Sequence, residues 1–149
     1  MEMKHEFKHI GYIRSPYKTV ESIPIQASMS DADGSVEVFE EYGDGLKDIE
    51  GFSHIILVYI FHESMKYSLH VRPYLDIEER GLFATRHPER PNPIGISIVK
   101  LVKRKGNILR IKGMDVIDGT PLLDIKPYVP RFDERIDARY GWLEDKLER

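Results

Sequence analysis

Residues 81–97, GLFATRHPERPNPIGIS, constrain the fold more than any other stretch of this chain. They hold three of its nine prolines, at positions 88, 91 and 93. A proline has no backbone N–H and pushes the residue before it towards extended geometry, so this stretch cannot form a helix. An apolar run of strand-like composition, residues 94–102, follows directly. The sequence therefore predicts a stiff, irregular loop anchored to a strand.

The same loop carries three cationic or titratable side chains, Arg86, His87 and Arg90. A backbone stiffened by proline loses less entropy when a ligand binds, and binding residues often lie on such loops. Guanidinium groups suit carboxylates and phosphates. The alternative, which these residues leave open, is a proline-rich connection between strands with solvated arginines.

The chain is 149 residues long and contains no cysteine. This length is enough for one domain with its own core, and we expect a single domain over residues 1–149 with a C-terminal tail from about residue 130. The absence of cysteine excludes disulfides, thiolate zinc sites and a cysteine nucleophile. The N-terminus has no signal-like apolar segment, and the longest apolar run, residues 55–61, is too short to cross a membrane. We therefore expect a cytoplasmic protein without a membrane partner.

Charge is segregated along the chain, although the net charge is only -3. Residues 31–50 contain eight carboxylates and one lysine, whereas residues 90–112 contain seven cations and no carboxylate. Such a distribution lets a polyanion meet the basic segment despite the negative total. The alternative is a pair of complementary surfaces that join within the molecule or across a dimer.

Short alternating or apolar segments bounded by turn residues predict a mainly β protein. We predict strands at residues 7–14, 35–40, 53–62, 69–74, 94–103, 108–114 and 122–125, a short apolar segment at 23–27, one helical turn at 46–51 and a hairpin turn at 104–107. Apolar spacing near 3.6 predicts an amphipathic helix over residues 133–147. This pattern favours an all-β fold, a β-barrel with a few short helices, including one at the C-terminus.

Several common catalytic motifs are missing from the chain. It has no phosphate-binding G-x-x-x-x-G-K-[ST], no G-x-S-x-G and no H-E-x-x-H, and the glycines at 43 and 45 are not followed by a third at the required position. His62 and Glu63 could bind a metal with His54 or His70, but the spacing is not that of a metal site, and we predict no metal. In residues 115–121, DVIDGTP, Asp118 could accept hydrogen bonds from a ligand, although many plain turns have this sequence.

Long motifs in residues 84–97 (ATRHPERPNPIGIS) and 115–133 (DVIDGTPLLDIKPYVPRFD), preceded by PIQ at 24–26 and FHES at 61–64, resemble the TrmO family, also called TsaA-like or YaeB-like. The resemblance implies a tRNA methyltransferase that depends on S-adenosylmethionine. It also implies a single-sheeted β-barrel and a homodimer with cofactor pockets near the subunit interface. Longer members carry an extra C-terminal domain, which we expect this chain to lack.

The resemblance also implies roles for individual residues. The cofactor-contacting positions would be Pro24, Ile25, Gln26, His62, Glu63, Arg86, Ile96, Asp118, Gly119, Thr120 and Pro121. Arg90 and the basic hairpin residues Lys103, Arg104 and Lys105 would bind RNA. The reaction would be methylation of N6 of N6-threonylcarbamoyladenosine at position 37 of threonine tRNA.

A base near the acceptor nitrogen would help this reaction. The candidates are Asp118, Asp124, Tyr128 and His62, of which we put forward Asp118 and Tyr128. Two alternatives remain open at this point: a non-catalytic S-adenosylmethionine-binding module, and a methyltransferase acting on a small molecule.

Overall fold

The computed structural model describes residues 3–23, 32–74 and 76–147. The strands, numbered in chain order, are β1 (Gly11–Arg14), β2 (Asp33–Val38), β3 (His54–Ile60), β4 (His70–Val71), β5 (Arg80–Gly81), β6 (Ile94–Lys105), β7 (Ile108–Lys112) and β8 (Thr120–Pro127). The α-helix α1 covers Pro130–Asp133, and single 3₁₀ turns lie at Val20–Ser22, Glu40–Leu46, Ile49–Gly51, Leu82–Ala84 and Gly141–Leu143.

Six of these strands form a closed antiparallel barrel in the order β1-β2-β7-β6-β3-β8. The barrel closes where β1 pairs with β8, with Tyr12 opposite Pro121. Strands β4 and β5 form a separate two-stranded ribbon. The predicted all-β barrel with a few short helices is confirmed, and closure leaves its strands without free edges.

The barrel is filled by the inward-facing residues of alternate positions. Ile13, Leu57, Leu109 and Leu122 are among the side chains that are completely buried. Each such side chain stabilises the fold by about 1.5–3 kcal/mol relative to leaving it exposed. Strand β6 alternates regularly between buried and exposed positions up to a register shift between Leu101 and Lys103. The predicted hairpin between β6 and β7 is confirmed.

The outward face of β3 and β6 is unusually apolar for a barrel surface. On β3 this face carries Ile56, Val58 and Ile60, which lie opposite Ile98, Ile96 and Ile94 of β6. The three β6 isoleucines are about half exposed, at 42%, 53% and 51% in chain order. We call these six residues the isoleucine stripe. Sequence reasoning predicted that residues 53–62 were buried on both faces, but only the inner face is fully buried.

Three of the predicted elements were wrong or too long. The predicted helix over residues 133–147 is replaced by α1, which ends at Asp133, and by the 3₁₀ turn Gly141–Leu143. Its apolar face has no surface to pack on, since Ile136 is 93% exposed. The first strand begins at Gly11 rather than residue 7, and the strand predicted at 69–74 has only the two residues of β4. From residue 24 onward, the segment predicted at 23–27 lies outside the described residues.

The C-terminal segment packs on the beginning of the proline-rich loop. Trp142 donates a hydrogen bond from Nε1 to the Ala84 carbonyl oxygen at 2.8 Å. The Arg80 guanidinium lies 5.4 Å from the centre of the Trp142 ring and pairs with the buried Asp76 carboxylate. These contacts fix the position from which the loop leaves the ribbon of β4 and β5.

Candidate functional site

A pocket of about 440 Å³ opens at the end of the barrel where β3 ends and β6 begins. Four segments surround it: the 3₁₀ turn at residues 20–22, the turn after β3, the proline-rich loop and the connection from β7 to β8. Its lining residues are Val20, Ile23, Phe61, His62, Glu63, Ser64, Pro88, Glu89, Asp115, Val116, Ile117 and Thr120.

The lining is mostly apolar with a few polar groups, which is the usual composition of a site for a small organic ligand. Phe61, Val116 and Ile117 provide flat or branched apolar surface. Glu63, Glu89 and Asp115 place carboxylates around the same space. This combination favours a ligand that has an aromatic part and a positive charge.

Three of the predicted cofactor residues, His62, Glu63 and Thr120, line this pocket. The buried Thr120 hydroxyl donates to the Ile117 carbonyl oxygen at 2.7 Å and holds the connection to β8 in place. Pro24, Ile25 and Gln26 lie outside the described residues, but they directly follow Ile23, which lines the pocket.

Two further predicted residues lie beside the pocket rather than in its lining. Arg86 is exposed, and its charge is close enough to the Tyr59 hydroxyl to lower the pKa of that group. Ile96 faces outward within the isoleucine stripe, on the outer surface of the barrel. The side chain of Ile96 could therefore meet a cofactor only from a neighbouring molecule.

Asp118, predicted as catalytic and as a cofactor contact, turns away from the pocket. Its carboxylate accepts hydrogen bonds from Lys18 Nζ at 2.9 Å and from the Ser15 backbone N–H at 3.1 Å. The hydrogen bond from Lys18 and the one from the Ser15 amide hold the pKa of Asp118 below its ordinary value, against the opposing effect of burial. Asp118 instead lines a shallow surface hollow beside β1 and β2.

The neighbours of Asp118 are also tied to the barrel. The Gly119 N–H donates to the Ile13 carbonyl oxygen at 2.9 Å, and Pro121 lies opposite Tyr12 in the strand pairing. The DGTP segment therefore spans two surfaces, with Thr120 at the pocket and Asp118 at the hollow.

Two other candidate bases lie at the opposite end of the barrel. The Tyr128 N–H donates to the His54 carbonyl oxygen at 3.1 Å, at the beginning of β3. Asp124 forms an ion pair with Lys126 at 3.0 Å. Strand β8 runs from the pocket to the far end, so Tyr128 and Asp124 are separated from His62 and Thr120 by the length of a strand.

A polar network that sequence reasoning missed lies at the pocket end of the barrel interior. The Ser97 hydroxyl donates to Asp115 Oδ1 at 2.7 Å, and the Tyr59 hydroxyl lies 2.7 Å from Ser97 Oγ. Because Ser97 has only one hydroxyl proton, Tyr59 must donate to Ser97. Tyr59 and Ser97 are buried, whereas Asp115 lines the pocket. The only sequence signal was polar residues at inward positions of two apolar strands.

Burial shifts the ionisation of both ends of this network. Burial, and secondarily the negative charge of Asp115, raises the pKa of Tyr59 far above its ordinary value, so Tyr59 remains a hydrogen-bond donor. Burial also raises the pKa of Asp115, although the hydrogen bond from Ser97 partly opposes this shift. A carboxyl group with a raised pKa can exchange a proton closer to neutral pH.

The predicted RNA-binding residues differ in how much of their charge is available. Lys103 and Lys105 are exposed on the β6–β7 hairpin. In contrast, Arg104 donates to the carbonyl oxygens of Gly106 and Leu46 and pairs with Glu50 at 3.2 Å. Arg90 donates to the carbonyl oxygens of residues 85 and 87 within its own loop, at 2.9 and 3.0 Å. Arg104 and Arg90 therefore have clear roles in bracing the structure.

A larger hollow of about 640 Å³ lies at the opposite end of the barrel. Its walls include Glu41, Asp44, Asp48 and Asp124. None of the predicted cofactor residues lines it, and its carboxylates would repel an RNA phosphate. We therefore assign the candidate site to the smaller pocket.

Within residues 3–23, 32–74 and 76–147, no three histidine or carboxylate side chains are grouped so that they could hold a metal ion. No helix in the same part of the chain has the length and apolar character needed to cross a membrane.

The fold and the pocket define a class of small, closed antiparallel barrels with a ligand-sized pocket at one end. Residues 12–134 match the family model described as the tRNA-methyltransferase O N-terminal domain. The chain therefore belongs to the TrmO family, as its motifs predicted.

Individual relatives agree with this assignment. A probable S-adenosyl-L-methionine-binding protein of Pyrococcus abyssi is 59% identical over 144 residues, which cover 96% of this chain and 78% of that protein. The tRNA (adenine(37)-N6)-methyltransferase of Escherichia coli is 39% identical over 93% of this chain and 64% of its own length. The crystal structure of TrmO from Pseudomonas aeruginosa matches with a TM-score of 0.80 and 39% identity, over 93% of this chain and 62% of that one. This chain thus spans somewhat less than two thirds of the two methyltransferases.

Proposed function

We propose that this protein is an S-adenosylmethionine-dependent tRNA methyltransferase that methylates N6 of N6-threonylcarbamoyladenosine at position 37 of threonine tRNA. The observation that carries the proposal is the pocket at the end of β3, which brings together family motif residues His62, Glu63 and Thr120 in a chain of the TrmO family. A tRNA substrate would have the protein act in the cytoplasm.

The residues present fit S-adenosylmethionine. The pocket volume of about 440 Å³ lies within the range of small-molecule sites, which is about 300–1,000 Å³. Its apolar walls suit an adenine ring, and the carboxylates of Glu63, Glu89 and Asp115 suit the ammonium and sulfonium charges. Arg86, at the edge of the site, is suited to the cofactor carboxylate.

When bound, S-adenosylmethionine supplies an electrophilic methyl group on a sulfonium centre. The chain's own contribution is to align the acceptor nitrogen with that methyl group and to exclude water, which can provide most of the acceleration in a displacement reaction. Phe61 and the branched side chains of Val116 and Ile117 exclude water. Thr120 fixes the connection that carries them.

The direct test is to incubate the purified chain with S-adenosylmethionine and tRNA that carries N6-threonylcarbamoyladenosine, then digest the tRNA and measure nucleoside masses. We expect the modified nucleoside to gain the mass of one methylene group. A tRNA lacking the threonylcarbamoyl group is the matched control and should gain nothing.

A second candidate function is a binding module without methyl transfer. The relative from P. abyssi, named only as a probable S-adenosyl-L-methionine-binding protein, favours this alternative. Binding of S-adenosylmethionine without any methylated product, on this tRNA or on total tRNA, would support the binding module and refute the methyltransferase.

The β6–β7 hairpin is the surface that we propose for tRNA. Its outward side chains include Lys100 opposite Lys112 and Lys103 opposite Arg110. Like charges directly opposite each other on a sheet destabilise it, so a binding role offers a reason for this arrangement. Among the described residues, none of these four cations, nor the exposed Lys105, has an ion-pair partner.

Replacing Lys103, Lys105 and Arg110 together by alanine should weaken tRNA binding at least tenfold at about 0.1 M salt. Because each lost phosphate contact releases fewer counterions, the plot of log affinity against log salt should become less steep by about 2 to 3. Filter binding over a salt series measures both quantities. The control variant replaces Lys4, Lys8 and Lys47, three exposed lysines elsewhere. Equal losses in the two variants would contradict the proposed surface.

The isoleucine stripe supports the homodimer that the family resemblance implied. A contiguous apolar patch of this kind on a soluble protein commonly marks an interaction surface. The stripe lies on the strands β3 and β6, whose ends reach the pocket, and it contains Ile96, a predicted cofactor contact. We propose that two copies pair through this stripe, so that Ile96 of each copy approaches the pocket of the other.

Replacing Ile98 by glutamate should convert the dimer into a monomer, because pairing would bury two unpaired carboxylates in an apolar interface. Sedimentation velocity should show this change at protein concentrations where the unmodified chain is dimeric. Ile108→Glu is the control, because Ile108 is 44% exposed on β7, outside the stripe. A monomeric unmodified chain, or a dimeric Ile98→Glu variant, would contradict this interface.

A further inference from the structure

We propose that Asp115 is the base that accepts the proton from N6 of the acceptor adenosine. The assignment rests on the proposed methyltransferase function and identifies a group that neither the motifs nor the family resemblance singled out. Asp115 is placed between a buried hydrogen-bond donor chain and the open pocket.

The first argument is the position of the carboxylate. Asp115 lines the pocket, whereas Asp118, Asp124 and Tyr128 lie on other surfaces. A carboxylate can accept more hydrogen bonds than the one that Ser97 donates to Oδ1. Asp115 therefore retains capacity to accept a proton from a ligand in the pocket.

The second argument is the contrast with the other carboxylates that the barrel holds in place. Asp76 pairs with Arg80, and Asp118 pairs with Lys18. Asp115 has no cationic partner within 4 Å among the described residues, only the neutral hydroxyl of Ser97. A buried carboxylate without a cation costs stability. A purely structural role would be served better by an asparagine at this position.

The third argument is the orientation provided by the network. Tyr59 donates to Ser97, and Ser97 donates to Asp115, so two inward-facing residues of β3 and β6 hold the carboxylate in one orientation. An N6–H that is acidified by its carbamoyl substituent needs only a weak base. The raised pKa of Asp115 makes this carboxylate a better proton acceptor than an ordinary one.

The step balances as follows. The bond between N6 and the methyl carbon forms as the bond between that carbon and sulfur breaks, and both electrons of the broken bond remain on sulfur. The N6 proton passes to an oxygen of Asp115. The products are methylated N6, a neutral thioether and a protonated Asp115, which returns its proton to water.

Other titratable and polar groups surround Asp115 and must be considered in its pH dependence. They are Tyr59 from β3, Ser97 from β6, Arg86 and Glu89 from the proline-rich loop, His62 and Glu63 from the turn after β3, and Thr120 from β8. Of these, Ser97 can be changed without altering the formal charge. Removal of its hydrogen bond should raise the pKa of Asp115 further.

The test is the variant Asp115→Asn in the full chain, with Asp124→Asn at the far end of β8 as the control. In Asp115→Asn, we expect kcat for methylation of the threonylcarbamoyl-modified tRNA to fall about a hundredfold or more. The dissociation constant for S-adenosylmethionine, from calorimetry, should change less than threefold. Asp124→Asn should retain both values. Ser97→Ala should shift the rising limb of the pH–rate profile to higher pH.

Two readouts do not depend on turnover. The carbon NMR titration of the Asp115 carboxyl should give a pKa above the ordinary aspartate value and a higher one in Ser97→Ala. Asp115→Asn should also be more stable than the unmodified chain at neutral pH. This advantage should grow as the pH rises from the unfolded pKa of aspartate through the raised folded pKa, since the charged form is the one that burial disfavours.

Each contrary outcome has a distinct meaning. An Asp115→Asn variant that keeps more than a third of kcat would overturn the assignment and leave the methyltransferase function intact. A tenfold or greater loss of S-adenosylmethionine affinity would overturn it by making Asp115 a cofactor ligand. An ordinary Asp115 pKa would also overturn it. An unmodified chain that makes no product would refute both the function and the base.

Discussion

Replacing Gly11 by alanine is expected to lower the free energy of unfolding by about 3 kcal/mol or more, a large loss for a single methyl group. The reason is the close approach of β1 to β2. A Cβ atom at Gly11 would lie 2.0 Å from the Glu37 carbonyl oxygen and 3.0 Å from Val38 Cα. These are backbone atoms, so no side chain can rotate to make room.

The effect should be large because β1 closes the barrel. This strand has only four residues, and it pairs with β2 on one side and β8 on the other. A displaced β1 would weaken both ladders and expose the fully buried Ile13.

Urea denaturation followed by circular dichroism measures the change. Gly81→Ala is the control, because a Cβ there would have no atom within 4 Å and its backbone φ of -60° suits alanine. Equal stability of Gly11→Ala and Gly81→Ala would show that β1 does not approach β2 as closely as described.

Local patterns predicted much of the barrel. The apolar runs that became β3 and β6 and the turn that became the β6–β7 hairpin depend on residues close in sequence, and the structure confirms them. Predicted strand ends were less accurate at β1, because Phe7 resembles a strand residue but lies outside the barrel with 78% of its surface exposed. The predicted C-terminal helix failed because apolar spacing does not guarantee a surface on which to pack.

The candidate site was harder to predict from local patterns because it depends on contacts between distant residues. Asp118 looked more promising than Asp115 in the DVIDGTP turn, since only the fold shows that Lys18 engages Asp118. Similarly, Arg104 reads as part of a basic cluster, yet its guanidinium reaches the Leu46 carbonyl oxygen 58 residues away. Tyr59, Ser97 and Asp115 come together only when β3 and β6 pair.

Replacing Gly95 by alanine should damage the pocket and the fold together. Gly95 lies opposite Tyr59 in the pairing of β6 with β3. An added Cβ would lie 2.6 Å from both Phe61 Cζ and Tyr59 Cε2, so at least one ring must move. The two rings pack edge to face with centres 5.5 Å apart, and displacement of one would disturb the other.

Two consequences should follow from the displaced rings in Gly95→Ala. Overpacking should cost about 1–3 kcal/mol of unfolding free energy. Movement of Phe61, which lines the pocket, and of Tyr59, which donates to Ser97, should also weaken S-adenosylmethionine binding about tenfold and lower kcat. Denaturation, calorimetry and the methylation assay measure these three quantities on one preparation. Gly51→Ala, with no atom within 4 Å of the added Cβ, should leave ligand binding unchanged. A stable Gly95→Ala variant with normal cofactor affinity would mean that the rings adjust freely, and the rigid orientation argued for Asp115 would then lose its physical basis.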